Sequence, residues 1–101
     1  MVAAMYLFTF HAVPESHHPD STTIGGAFVN CWIDHATLSQ AEAAARKCIQ
    51  DAGWKIQTLD DARIVERSDY DEAPESLKYY EQAETDKEVF VLHTYPIDAA
   101  N

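Results

Sequence analysis

Residues 37–54 read TLSQAEAAARKCIQDAGW. At about 100° per residue, Leu38, Ala41, Ala45, Cys48, Ile49 and Ala52 fall in one stripe, while Gln40, Arg46, Lys47, Gln50 and Asp51 lie outside it. This periodicity predicts an amphipathic helix. Two overlapping capping boxes, Thr37/Gln40 and Ser39/Glu42, can satisfy free amide donors in the first turn, and Gly53 supplies the left-handed residue that ends helices. A helix of this length is marginal alone in water, so its stripe must be buried against the β-like segments on either side. Trp54, directly after Gly53, is expected to plug the helix end into the core, worth about 2–3 kcal/mol of burial.

Those flanking segments are legible by alternation. Residues 4–12 place Tyr6, Phe8 and Phe10 against Met5, Leu7, Thr9 and His11, a strand with apolar side chains on both faces. Residues 13–26, VPESHHPDSTTIGG, are a loop by composition, punctuated by Pro14, Pro19, Gly25 and Gly26. Residues 27–34 read as a second strand with Val29, Cys31 and Ile33 on one face and Phe28, Asn30 and Trp32 on the other. Residues 54–59 look like a third strand, Asp60–Asp61 a tight turn and residues 62–67 a shorter fourth strand, with one bent strand as the alternative. Residues 68–74, SDYDEAP, form an acidic loop before a second helix over residues 74–85, where Pro74 suits the first helical position and Glu75 complements the dipole. Residues 88–95, EVFVLHTY, are the last strand, ended by Pro96.

The order β, loop, β-α-β-β-α-β predicts an α+β class, and its last six elements match in architecture the ferredoxin-like split β-α-β plan. In that plan both helices lie on one face of a two-layer antiparallel sheet, with strands 27–34 and 88–95 side by side. The extra N-terminal strand is expected beside residues 88–95, making the last strand interior. An N-terminal hairpin with residues 27–34 is the fallback. Element order implies no activity.

At 101 residues the chain is expected to form one domain. Apolar residues make up 47% of it, which argues against disorder despite a net charge of −10. No Lys or Arg precedes Arg46, and the acids concentrate between Asp51 and Glu88. That field repels phosphate backbones and anionic membranes, so nucleic-acid and membrane-surface partners are disfavoured, and a basic protein surface is easier to accommodate. Cys31 and Cys48 lack metal-motif spacing and are too few for a disulfide framework, which fits a reducing cytoplasm. Both fall on core-facing stripes and read as small hydrophobes. The apolar start has no basic n-region or cleavage site, and no stretch is long enough to span a membrane.

No catalytic or cofactor motif stands out. With both helices on the Val29–Cys31–Ile33 face, Phe28, Asn30 and Trp32 would project from an open face, joined by His93 and Tyr95 or else by Phe90 and Leu92. An aromatic face of that size is expected to be covered by a second subunit, a ligand or the loop of residues 14–26. RNA stacking is set aside because no Lys or Arg accompanies these strands. His17, His18 and Asp20, with help from His11 or His35, are weak metal candidates, better read as solvated loop residues. His93 reads as a hydrogen-bonded strand histidine, lacking an identifiable partner for base catalysis. Asp69, Asp71 and Glu72 lack the spacing of a calcium loop. The expectation is an acidic, cytoplasmic interaction domain, homodimeric through Phe28, Asn30, Trp32, His93 and Tyr95 and without a cofactor. A small enzyme or ligand-binding protein with a pocket on that face is the alternative.

Overall fold

The computed structural model describes residues 4–97. In chain order it has strand β1 (Ala4–Pro14), β2 (Ile24–His35), helix α1 (Leu38–Asp51), β3 (Trp54–Val65), a 3-10 turn (Arg67–Tyr70), α2 (Pro74–Asp86) and β4 (Glu88–Pro96). The four strands form one antiparallel sheet in the order β3-β1-β2-β4. The α+β class and the pairing of the second strand with the last are as expected, but the strand order is not the ferredoxin-like one. The first strand is interior, in the fallback hairpin with β2, and the last strand takes an edge.

Residues 54–65 form one strand, not two. An eleven-residue β1 offers a continuous edge, and two bulges let β3 follow it, leaving Gln57 and Asp60 unpaired. Asp60 therefore sits in a bulge, where its carboxylate accepts from the Thr58 hydroxyl at 2.6 Å, and no turn forms there.

The helices lie on opposite faces, which corrects the two-layer expectation. On one face Tyr6, Phe8, Phe10, Val29, Cys31 and Ile33 pack against Ala41, Ala45 and Ile49 of α1, and Trp54 closes the end. Arg46 covers Phe10, its guanidinium carbon 5.3 Å from the ring centre. On the other face Met5, Leu7, Trp32, Val65 and Val89 pack against Tyr70 of the 3-10 turn and Leu77, Tyr80 and Ala83 of α2. The two-sided apolar character of β1 requires this, because a sheet buried on both sides needs a layer on each.

Helix boundaries follow their local chemistry. Thr37 caps α1, its hydroxyl accepting from the Gln40 amide at 3.2 Å, and Gly53 adopts φ +94° after the last turn. Leu38 and Ala52, at the two ends of the predicted stripe, remain exposed. Pro74 opens α2, and Lys87 closes it in the left-handed region at φ 76°. The loop after β1 folds as successive turns and is tied down where the Glu15 amide donates to the Gly53 carbonyl and the His18 ring packs on Trp54 at 5.0 Å. It docks beside the α1 core and so leaves Phe28 uncovered.

Candidate functional site

Covering the Trp32 face takes more than α2 supplies. The helix seals the end of the sheet where β4 begins, and among the described residues no helix covers that face beyond Val91. Alternation and register bring Thr9 and His11 of β1, Phe28 and Asn30 of β2, and His93 and Tyr95 of β4 onto this open half. Phe28 pairs directly with His11 on one side and His93 on the other.

The side chains form a connected surface. The Thr9 hydroxyl donates to the Asn30 side-chain amide oxygen Oδ1 at 3.0 Å. A hydrogen bond of 2.6 Å joins His11 Nε2 and the Tyr95 hydroxyl. Phe28 stacks on the His11 ring at 5.0 Å and lies 5.8 Å from the Tyr95 ring, itself 5.9 Å from His11. Tyr95 reaches from β4 to β1 because the intervening residue is Gly26. A Cβ there would sit 2.3 Å from the Tyr95 hydroxyl oxygen and 2.6 Å from Cζ. Phe28 is nevertheless 46% exposed, and His93 is exposed beside it.

Trp32 does not belong to this surface. It is 5% exposed, stacks on Tyr79 at 5.2 Å, and its indole N–H donates to the Tyr70 hydroxyl at 2.8 Å. The face assignment of Trp32 holds, but α2 and the 3-10 turn cover it. The missed signal was Tyr70, an aromatic in an otherwise acidic loop whose ring and hydroxyl anchor that loop over the sheet. Thr9 and His11 are the other residues the sequence reading left out of the site. Their strand alternation was visible, but their neighbours depend on β1 lying next to β2.

The metal candidates are dispersed among other tasks. His18 Nδ1 accepts from the Asp20 amide at 3.0 Å, His35 Nδ1 accepts from the Ala36 amide at 3.0 Å, and His11 is engaged with Tyr95. Among the described residues no group of three or more His, Cys, Asp or Glu side chains converges as a metal ion requires. In the acidic loop, Asp69 accepts from the Glu66 amide at 2.7 Å, closing the 3-10 turn.

Compared with known proteins, the chain matches no family model, no curated protein and no solved structure.

Across the sheet, on the α1 side, an apolar cleft of about 90 Å³ opens between Cys48 and Ile49 of α1, Ala52 just after it, and Phe90 and Leu92 of β4. Cys48 donates to a Glu88 carboxylate oxygen at 3.2 Å. Burial, that hydrogen bond and the Glu88 charge push its thiol up to about 11, and burial with Cys48 and Glu88 nearby pushes Cys31 up to about 12. Neither is poised as a nucleophile near neutral pH. Among the described residues, no helix is long and apolar enough to cross a membrane.

Proposed function

We propose that the chain is a small acidic interaction domain that self-associates through the side of the molecule built on β4 and the open half-face beside it. The observation that carries this reading is where uncovered apolar surface collects. Of the five exposed large apolar side chains among the described residues, Phe28, Leu92 (41% exposed) and Ile97 border β4 or continue it, Phe28 and Leu92 on its two faces, whereas Leu38 and Ile64 lie elsewhere, and such grouping marks interaction surfaces. In a chain of net charge −10, residues 89–97 carry no charged side chain, so a second copy meets least repulsion there. Asn30, His93 and Tyr95 supply hydrogen-bonding groups around Phe28, the mixture of aromatic anchor and polar rim that interfaces use. A reducing cytoplasm suits two free thiols. Sedimentation equilibrium at micromolar concentration tests the reading. The wild-type chain is expected to run as a dimer, Phe28→Asp and Leu92→Asp as folded monomers, and Ile64→Asp, at the far edge of the sheet, as a dimer. A monomeric wild-type chain would remove the proposal.

A second reading, a small-molecule site on the same half-face, draws on the His11–Tyr95 pair. An imidazole fixed through Nε2 and flanked by two rings can orient a polar ligand. On this reading Tyr95→Phe abolishes ligand binding and leaves the association state unchanged.

A further inference from the structure

The two edges of the sheet differ in how they are finished. On β3 two bulges break the ladder, and Lys55, Asp60, Asp61 and Arg63 line the strand, with Arg63 Nε donating to Asp61 at 2.8 Å. Those are the devices that keep an edge strand from pairing. Between Val89 and Tyr95, β4 has none of them. Its pairing with β2 is regular from Ile33–Glu88 through Gly26–Tyr95, it carries no charge after Glu88, and its only proline is the terminal Pro96.

We propose that two copies join edge to edge through β4, antiparallel about a two-fold axis at Leu92, into one eight-stranded sheet. This rests on the self-association argued above and names how it occurs. A two-fold axis perpendicular to a sheet keeps each residue on its own face, so residue i meets residue j only where their numbers sum to an even value. Centring on Leu92 pairs all nine residues of β4. Leu92 meets its own copy, Phe90 faces Thr94, Val91 faces His93, and Glu88 lies against Pro96, which keeps the two Glu88 carboxylates at opposite ends. Any centre nearer Glu88 draws those carboxylates together, and any centre nearer Pro96 shortens the ladder.

The same geometry completes the open half-face. Within one copy α2 covers the Trp32 face where β4 begins, packing on Val89 and Val91, and leaves the Tyr95 end bare. Antiparallel pairing sets the beginning of each β4 beside the end of the other, about 4.8 Å away. Each copy's α2 therefore stands alongside the other's His93, Tyr95 and Phe28. The half-face becomes the floor of a groove walled on one side by the second copy.

Cross-linking through one introduced cysteine tests the register. At Leu92 the two Cα atoms would lie about 4.5–5.5 Å apart, within disulfide range, so Leu92→Cys is expected to form a disulfide-linked dimer under mild oxidation. Thr94→Cys, on the same face, would place its thiols about 14 Å apart and is expected to stay unlinked. The wild-type chain, with only Cys31 and Cys48, is the blank, and circular dichroism confirms that each variant is folded. A dimer by sedimentation in which His93→Cys links and Leu92→Cys does not would overturn edge pairing in favour of face-to-face contact, leaving self-association intact. A monomer by sedimentation would overturn both.

Discussion

Tyr95 lies across a glycine to reach an imidazole two strands away, so a single methyl group can disconnect the half-face. In Gly26→Ala the new Cβ meets the phenol head on, and either the ring or the strand must move. The expected outcome is a loss of about 1–3 kcal/mol in urea unfolding, together with a shift of the His11 ring signals in the proton spectrum. Tyr95→Phe should move the same signals without that loss of stability. The two thiols make a second prediction at this scale. Both hold their protons in the folded chain to pH values well above the usual thiol value of 9.0. The unfolded chain releases them first, so their contribution to stability is complete below about pH 9 and declines as pH rises through 11 to 12. Urea midpoints measured from pH 8 upward should fall over that interval, and less steeply in Cys48→Ala. Thiol-selective reagents at pH 7 should label the folded protein slowly and the unfolded protein quickly.

The elements whose ends are set by local chemistry were the most legible. Thr37 and Gly53 bound α1 as read from the sequence, and Thr37→Ala should cost about 1 kcal/mol in chemical denaturation. The end of α2 is finished less well, with Lys87 in the left-handed region where glycine is the usual residue. Lys87→Gly should therefore raise the unfolding free energy by about 0.5–1 kcal/mol, the exposed contact between Lys87 and Asp34 at 3.4 Å being weak. Elements defined by distant partners were harder to read. Nothing around Asp60–Asp61 distinguishes a turn from a bulge, because the deciding fact is the length of β1, some fifty residues earlier. The side taken by α2 was likewise undecided locally, although Met5 and Leu7 opposite Tyr6 and Phe8 already required cover on both faces. The site divides in the same way. Phe28, Asn30, His93 and Tyr95 share a face because alternation says so, whereas the burial of Trp32 follows from Tyr70 and Tyr79, which only the folded chain brings over it.

For the molecule as a whole, the charge of −10 sets the conditions under which two copies can meet. Like-charged partners repel over about 10 Å at 0.1 M salt, so dissociation constants from sedimentation velocity should tighten as salt rises from 0.02 to 0.2 M. An interface held by ion pairs would show the opposite trend. The molecule also has two separate hydrophobic centres divided by β1 and β2. The larger uses β1, β2, α1 and β3, and the smaller is completed only when α2 and β4 fold back onto Trp32 and the outer side of β2. That C-terminal pair is attached along one strand, β2, with α2 on one face and Phe90 and Glu88 touching the α1 side on the other, so it can peel away while β1, β3 and α1 stay together. Amide hydrogens of β4 and α2 should then exchange with deuterium sooner than those of β1. If a second copy clips onto the same strand, diluting the protein should speed that exchange selectively, making the flap a gauge of how crowded the chain is with its own kind.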